Sequence, residues 1–271
     1  MTALARSATD LRLAARDVTV RFGGLVALDC VHIDVPARSV MGLIGPNGAG
    51  KSTLFAVLSG LLRPTKGSVF LDGEDVTTAS AQQRAQRGLA RTFQHPEVFT
   101  SLSVRDHVVL ARRARHSRSR LWWDVVTAGG FRRPGAEETE SVDAVIEMLG
   151  IADIAERGVV GLPLGQTRLV EIARALAFDP TVLLLDEATS GLDRQERESL
   201  GHALATVLRE RDLSILMVEH DVDFVLGISS EVCVLDFGQV IACGTPAEVR
   251  SDPQVKAAYL GEQLESTGTA P

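Results

Sequence analysis

The stretch Gly45-Pro46-Asn47-Gly48-Ala49-Gly50-Lys51-Ser52-Thr53 decides the fold of this chain. From Gly45 to Ser52 it matches the pattern G-x-x-x-x-G-K-[ST]. The short apolar run from Ser39 to Ile44 predicts a β-strand before it, and the run from Lys51 to Leu62 has the pattern of a helix that ends before Pro64. Strand, glycine-rich loop and helix in this order predict a phosphate-binding loop, because glycines let successive backbone N–H groups converge on phosphate oxygens.

Two side chains of this phosphate-binding loop, residues 45–53, have predicted chemical roles. Lys51 is expected to neutralise the β- and γ-phosphates of a nucleoside triphosphate, and the Ser52 hydroxyl is expected to bind Mg²⁺. The alternative is a glycine turn with a purely structural role. The agreement of strand, loop and helix disfavours that alternative.

A pair of carboxylates follows a second predicted strand. The run Thr181-Val182-Leu183-Leu184-Leu185 is continuously apolar, which is typical of a parallel strand covered on both faces. Asp186 and Glu187 stand at its carboxyl end, where Asp186 is expected to organise Mg²⁺ and Glu187 to orient or deprotonate a water molecule. Alternatively, the two acidic residues could stabilise a helix N-terminus through the helix dipole. The phosphate-binding loop upstream favours the catalytic interpretation.

The remaining pattern predicts an α/β fold with a mostly parallel sheet, because apolar strands alternate with helical segments. Alternation of branched apolar and polar residues from Leu11 to Ile44 predicts antiparallel strands. The other predicted elements are a strand pair at Ser68 to Leu71 and Leu89 to Phe93, a helical region from about Ser103 to Ala155, helices at Arg168 to Phe178 and about Arg194 to Arg209, and a strand at Ser214 to Val218.

The composition excludes several classes of protein. The chain has 271 residues, of which 45% are hydrophobic and 23% charged, which indicates a packed fold rather than a disordered or collagen-like chain. A formal net charge of -7 argues against a protein whose main role is to bind nucleic acid. No apolar stretch reaches the roughly 18 residues that a membrane span needs, and no signal-peptide pattern opens the chain. Cys30, Cys233 and Cys243 have no C-x-x-C spacing, which predicts reduced buried thiols rather than metal ligands.

With these residues in place, the sequence resembles the ATP-binding subunit of an ABC transporter over nearly the whole chain. The motifs of that family occur in order: the phosphate-binding loop, Gln94 within Arg91-Thr92-Phe93-Gln94, a signature-like segment at Leu162-Pro163-Leu164-Gly165-Gln166, the strand that ends in Asp186-Glu187, the segment Ser190-Gly191-Leu192-Asp193, and His220 after Val218-Glu219.

The resemblance implies one ABC ATPase domain over residues 1–271, with a P-loop NTPase core, an antiparallel β subdomain and an inserted α-helical subdomain. The core with its β subdomain is expected at 11–94 and 171–250, the helical subdomain at 95–170 and a C-terminal tail at 251–271. ATP and Mg²⁺ are the implied cofactors.

The resemblance also assigns roles to residues. The implied catalytic residues are Glu187, His220, Gln94 and Lys51. The implied Mg²⁺ ligands are Ser52, Gln94 and Asp186. The implied nucleotide contacts are Phe22, Gly45, Pro46, Asn47, Gly48, Ala49, Gly50, Lys51, Ser52, Thr53, Gly165, Gln166 and Asp193. Phe22 would stack on adenine, although a phenylalanine taken alone is more often part of a core.

Within the family, the sequence is most similar to subunits that serve importers of branched-chain amino acids. The opening Arg21-Phe22-Gly23-Gly24-Leu25-Val26-Ala27-Leu28 and the tail from Asp252 to Glu262 carry this similarity. It implies permease subunits, a second ATP-binding subunit in a homo- or heterodimer, a periplasmic or extracellular substrate-binding protein, no nucleic acid, and a place at the cytoplasmic face of the inner membrane. The alternatives are the ATPase of a lipid or lipopolysaccharide exporter, whose tail is similar, and a soluble ABC ATPase of nucleic-acid metabolism.

Two segments depart from the family pattern. The signature usually reads L-S-G-G-Q, whereas Pro163 and Leu164 replace the serine and the first glycine here. Pro163 offers neither a hydroxyl nor a backbone N–H, so either this signature weakens a partner's nucleotide site or contacts at the helix start make the change tolerable. The run from Arg112 to Trp123 is either a solvated helix face or a contact for lipid headgroups or the permease.

Overall fold

Two β-sheets organise the chain, and the computed structural model describes residues 11–92, 99–116 and 135–259. The first sheet is antiparallel, with strand order β2-β1-β4-β5. Its strands are β1 (Leu11–Phe22), β2 (Leu25–Pro36), β4 (Lys66–Leu71) and β5 (Glu74–Asp75). Strands β1 and β2 agree with the antiparallel strands that the sequence predicts from Leu11 to Ile44. The end of that range, residues 40–44, instead lies in the second sheet and pairs in parallel, because its partners come from distant parts of the chain.

The second sheet carries the residues that sequence analysis selected for chemistry. Its strands are β3 (Val40–Ile44), β6 (Leu89–Arg91), β7 (Val182–Asp186), β8 (Ser214–Val218), β9 (Glu231–Asp236) and β10 (Gln239–Gly244). They lie in the order β10-β9-β3-β8-β7-β6, and only the β9–β10 pairing is antiparallel. The prediction of an α/β fold with a mostly parallel sheet is therefore confirmed.

Helices cover the second sheet and connect its strands. The helices include α1 (Lys51–Leu58), α2 (Ala81–Gln86), α3 (Val104–His116), α4 (Ala136–Met148), α5 (Leu164–Leu176), α6 (Arg194–Glu210), α7 (Val222–Ile228) and α8 (Pro246–Ser251), with a 3₁₀ turn at Ala152–Ile154. Residues 253–259 are also helical. Helices α3, α4 and α5 pack against one another. Strands β3, β7 and β8 are buried throughout, which explains their continuous apolar sequences.

Three other predicted elements also differ from the structure. Helix α1 ends at Leu58 rather than Leu62, because Gly60 adopts a φ of 78° and the buried Arg84 binds the carbonyls at the helix end. Helix α5 begins at Leu164, earlier than predicted, directly after Pro163. The predicted strand pair does not form, because β4 belongs to the antiparallel sheet and β6 to the edge of the parallel one. Phe93 lies outside the described residues.

The prediction of reduced thiols was wrong for Cys233 and Cys243. Strands β9 and β10 form a hairpin whose register sets Cys233 opposite Cys243, and the structure joins the two in a disulfide with Cα atoms 4.1 Å apart. Cys233 is buried, whereas Cys243 and the free Cys30 are exposed. Sequence spacing alone could not show this pairing, because it depends on which strands form the hairpin.

The arginine-rich segment is described only in part. Arg113 makes two hydrogen bonds to Glu138 on α4, 2.7 and 2.9 Å long, and Arg115 donates to the Asp179 carbonyl over 2.7 Å. These two arginines therefore tie α3 to neighbouring elements of the same chain. The residues from 117 to 123, with both tryptophans, lie outside the described ranges. Within those ranges, no helix is both long and apolar enough to cross a membrane.

Candidate nucleotide-binding site

The phosphate-binding loop lies between the buried strand β3 and helix α1. Gly45 is required because a Cβ there would lie 2.0 Å from the carbonyl oxygen of Leu235. Gly50 precedes α1 with a φ of 104°, a backbone conformation that favours glycine. The loop therefore approaches β9 closely and turns into the helix, with Asn47 and Gly48 exposed to solvent.

Lys51 folds back over the loop that precedes it. Its Nζ atom donates to the carbonyl oxygens of Gly45 and Pro46 over 2.6 and 2.9 Å, and the side chain is buried. Ser52, one residue later in the first turn of α1, is exposed. The ammonium group and the hydroxyl therefore lie at the N-terminus of the same helix, which favours a bound anion.

Asp186 ends strand β7 and is only 4% exposed. Its Oδ2 atom accepts a hydrogen bond from Arg91 over 2.7 Å, whereas Oδ1 is buried and has no hydrogen-bond partner among the described residues. A buried carboxylate oxygen without a hydrogen-bond partner destabilises the folded protein unless a bound ligand contacts it.

The donor chemistry around Asp186 fits Mg²⁺. A carboxylate and a hydroxyl are hard oxygen ligands, and Mg²⁺ is usually held by one or two carboxylates together with substrate phosphates. The described ranges contain no cluster of three or more His, Cys, Asp or Glu side chains that could hold a metal by itself. Gln94, the third predicted ligand, lies outside the described residues.

Glu187 and His220 meet because their strands are neighbours. Asp186 pairs with Val218 in the β7–β8 register, so the residues that follow each strand emerge side by side. The Nε2 atom of His220 lies 2.9 Å from Glu187 Oε1, and Glu187 has a φ of 50° that turns its side chain out of the strand direction. Glu187 is half-buried and His220 is exposed. Both groups can therefore reach a bound substrate.

Glu219 is a residue of the site that sequence reasoning quoted only as a neighbour of His220. Its carboxylate is 2% exposed and accepts hydrogen bonds from the N–H and the hydroxyl of Thr189, over 2.9 and 2.5 Å. Burial raises the pKa of Glu219. This contact joins the chain after β8 to the chain after β7, and it holds the backbone two residues beyond Glu187.

Phe22 lies at the exposed end of the β1–β2 hairpin, with 51% of its surface accessible. The start of β2 runs past the phosphate-binding loop, since a Cβ on Gly50 would lie 2.7 Å from the Ala27 carbonyl oxygen. The aromatic ring is therefore exposed rather than part of a core, as the alternative interpretation of a lone phenylalanine would require.

The signature residues form a separate cluster with the start of α6. The N–H of Gly165 donates to Glu196 Oε1 over 3.0 Å, while Glu196 Oε2 accepts the N–H of Asp193 over 3.1 Å. Gly165, Gln166 and Asp193 line a cavity of about 690 Å³, whose described lining includes no residue of the phosphate-binding loop. Within one chain, Gly165, Gln166 and Asp193 therefore line a cavity whose described lining does not include Lys51.

The fold and this site define a P-loop nucleoside triphosphatase, with a lysine on a glycine loop after β3 and two acids at the end of β7 in the same sheet. Residues 28–190 match the family model described as ABC transporter, and residues 239–265 match the model described as branched-chain amino acid ATP-binding cassette transporter. The chain belongs to the ABC transporter family, in its branched-chain amino acid subgroup. The resemblance inferred from sequence is therefore confirmed.

Individual relatives agree with this assignment. The chain is 36% identical to the high-affinity branched-chain amino acid transport ATP-binding protein LivG of Salmonella typhimurium, over 92% of this chain and 98% of the relative. It is 35% identical to the corresponding protein BraF of Pseudomonas aeruginosa, with the same coverage. A crystal structure of an ABC transporter cassette in its ADP conformation has a TM-score of 0.82 and 28% identity, and the match covers 93% of this chain and 99% of that one.

Proposed function

We propose that this chain is the ATP-hydrolysing subunit that powers an importer of branched-chain or related amino acids. The observation that carries the proposal is the meeting of Glu187 and His220, 2.9 Å apart, at the sheet edge that also holds Asp186 and the phosphate-binding loop. The match of residues 239–265 and the names of the LivG and BraF relatives support the substrate class.

The proposed chemistry is mainly positioning and charge neutralisation, as phosphoryl transfer requires. Backbone N–H groups of residues 45–53 hold the phosphates, and Lys51 exchanges its two carbonyl partners for the β- and γ-phosphates. Mg²⁺, held by Ser52 and Asp186 with Gln94, would supply further positive charge at the triphosphate. Glu187 positions the attacking water and accepts its proton, His220 contacts the γ-phosphate, and Phe22 stacks on adenine.

The proposed partners are permease subunits, a second ATP-binding subunit and, through the complex, a substrate-binding protein. A cavity of about 670 Å³ between β6, α2, α3 and α5 supports permease docking, because apolar side chains such as Leu61, Leu110 and Phe178 line it. The chain would then lie at the cytoplasmic face of the inner membrane. Within it, residues 11–94 and 171–250 would act as the ATPase core and residues 95–170 as the helical subdomain, in one domain with the tail at 251–271.

Two substitutions test the ATPase site and separate binding from hydrolysis. Lys51→Ala should weaken Mg-ATP binding by about 2 kcal/mol or more, a roughly 30-fold loss, because the phosphates lose a charged partner. Glu187→Gln should keep Mg-ATP binding but lower kcat by about 10² to 10⁴-fold, because the water loses its base. Fluorescent-nucleotide binding and phosphate release measure both effects.

The exposed residues Lys66 and Glu198 provide matched controls. Lys66→Ala and Glu198→Gln should behave like the wild-type protein. Full ATPase activity in Lys51→Ala would refute the proposed site.

The substrate class is tested by uptake. A host strain that lacks this chain should lose uptake of radiolabelled leucine, isoleucine or valine, and wild-type protein but not Lys51→Ala should restore it. Normal uptake of all three amino acids in the deletion strain would contradict the proposed substrate class and leave the ATPase assignment intact.

A further inference from the structure

Arg91 is the last residue of β6, and sequence analysis assigned it no role. Its Nη2 atom donates to Asp186 Oδ2 over 2.7 Å, and the two side chains are 15% and 4% exposed. Its Nη1 atom donates to Ser59 Oγ over 2.9 Å, and the guanidinium carbon lies 5.8 Å from the centre of the Phe55 ring. One side chain thus contacts both the carboxylate that ends β7 and the helix α1.

The end of β6 also holds the backbone of the same aspartate. The Thr92 hydroxyl accepts the N–H of Asp186 over 3.4 Å, and the Thr92 N–H donates to the Leu184 carbonyl over 3.0 Å. Asp186 is therefore fixed through its carboxylate and through its main chain by two consecutive residues. Because both contacts come from one strand end, the orientation of the carboxylate depends on β6.

This arrangement distinguishes the two carboxylate oxygens. Arg91 occupies Oδ2, whereas the buried Oδ1 has no hydrogen-bond partner in the described part of the chain. Helix α1, which Arg91 contacts through Phe55 and through Ser59 just after its last residue, begins with Lys51 and Ser52. Arg91 therefore connects the proposed carboxylate ligand of Mg²⁺ to the helix that carries the proposed hydroxyl ligand.

We infer that Arg91 is a positioning residue for Asp186: it holds Oδ2, leaves Oδ1 as the oxygen available to Mg²⁺, and fixes Asp186 relative to α1. The inference rests on the proposed Mg-ATP site. An arginine suits this task because its planar guanidinium donates in two fixed directions, whereas a lysine ammonium acts as a point charge and cannot reproduce that fork. Groups that orient metal ligands typically change metal affinity by about 10 to 100-fold when they are removed.

The experiment measures Mg²⁺ dependence rather than activity alone. Binding of a fluorescent ATP analogue is followed in EDTA and during titration with MgCl₂, for wild type, Arg91→Met and Arg91→Lys. In EDTA all three proteins should bind the analogue with the same Kd. During titration the Mg²⁺ midpoint of Arg91→Met should rise by about 10 to 100-fold. The Mg²⁺ midpoint of Arg91→Lys should rise by a smaller factor, because the positive charge beside Asp186 remains.

Arg211→Met is the matched control, because the Arg211 side chain is 19% exposed and pairs with Asp179 through a 3.4 Å contact. It should keep the wild-type Mg²⁺ midpoint. In ATP hydrolysis, Arg91→Met should show a higher requirement for Mg²⁺ but recover most of its kcat at saturating Mg²⁺. If circular dichroism shows that Arg91→Met does not fold, Arg91→Lys and Ser59→Ala are used instead. Their Mg²⁺ midpoints should rise by smaller factors.

The outcomes separate this inference from the proposed function. Wild-type Mg²⁺ midpoints in the Arg91 variants, or an equal loss of binding in EDTA and in Mg²⁺, would overturn the positioning role and leave the nucleotide site in place. Failure of the wild-type protein to bind the analogue under any condition would instead overturn the proposed function.

Discussion

Arg84 is a single residue on which the end of helix α1 depends. It is fully buried, and its Nη1 atom donates to the carbonyl oxygens of Val57 and Leu58, both over 2.7 Å. Its other N–H groups reach the carbonyls of Thr77 and Ala79 over 3.2 Å. Burial lowers the pKa of Arg84 to about 10, so the guanidinium remains charged at neutral pH. The side chain thereby satisfies backbone groups that a helix end leaves without partners.

Replacement of Arg84 should therefore destabilise the protein. We expect Arg84→Met to lower the free energy of unfolding by about 3 kcal/mol, because buried carbonyl groups lose charged donors. Urea denaturation followed by circular dichroism measures the change. Arg87 lies in the same segment but pairs with Glu74 at the surface. Arg87→Met should change stability by less than about 0.5 kcal/mol, and equal unfolding midpoints for the two variants would contradict the expectation.

At the scale of an element, His107 anchors helix α3 in one protonation state. The ring is 1% exposed; Nε2 accepts the N–H of Phe99 over 2.8 Å, so the proton is on Nδ1, which donates to the Ser103 carbonyl over 2.7 Å. Burial lowers the pKa of His107, with nearby Arg174 acting in the same direction, while the Ser103 carbonyl and Asp106 act against it. The neutral imidazole is therefore the form that the fold requires.

The sign of the pH dependence follows from this lowered pKa. Below about pH 6.5 the unfolded chain binds a proton that folded His107 does not bind. Stability is therefore complete above that pH and falls as the pH decreases toward the lower folded pKa. We expect a loss of about 1 kcal/mol between pH 7 and 5.5, which His107→Gln should largely remove. Urea unfolding at several pH values tests this, and the same slope in wild type and His107→Gln would contradict it. The exposed His202→Gln serves as the control.

At the scale of the whole molecule, the signature contacts predict unequal ATP sites if this chain pairs with a different ATPase subunit that has an intact signature. Pro163 has no N–H, the Leu164 side chain lies 2.9 Å from the position of a Cβ on Gly191, and the Gly165 N–H already binds Glu196. A partner's γ-phosphate would therefore find fewer donors here than at an intact signature. One missing charge-assisted hydrogen bond would cost about 1.5 to 3 kcal/mol in nucleotide-dependent pairing.

This asymmetry predicts unequal effects of equivalent substitutions in a complex whose second ATPase has an intact signature. Glu187→Gln in this chain should remove most of the ATPase activity, because its site is completed by the intact signature. The equivalent substitution in the partner should remove less. ATPase rates of the two singly substituted complexes measure the difference. Equal losses would favour the alternative in which contacts at the start of α5 suffice.

The sequence predicted those parts of the site that depend on local order. The phosphate-binding loop, the apolar strand before Asp186 and Glu187, and the sequence of strands and helices are encoded by residues close together in the chain. Hydrophobic period and glycine position report such local conformations. The sites of Lys51 and Asp186 were therefore evident before the tertiary structure, whereas the cross-strand partners of the cysteines were not.

The residues that sequence analysis missed act across long separations. Arg91 contacts Asp186 from 95 positions away, and Glu219 contacts Thr189 from 30 positions away. Their positions were a signal of a role in the site, since Arg91 and Glu219 stand beside residues of the quoted motifs. The residue type alone does not show which partner either one contacts. Arg84 had no such signal, because a buried arginine is rare and resembles a surface arginine in sequence.

The sequence by itself determined the family, the phosphate-binding loop and the order of the proposed catalytic groups, because each rests on short-range patterns that backbone sterics and hydrophobic period impose. Only the tertiary structure decided which oxygen of Asp186 is occupied, which groups hold the ends of α1 and α5, and that Glu187 meets His220. These contacts depend on the register of neighbouring strands and on the packing of distant side chains, and no local pattern specifies them.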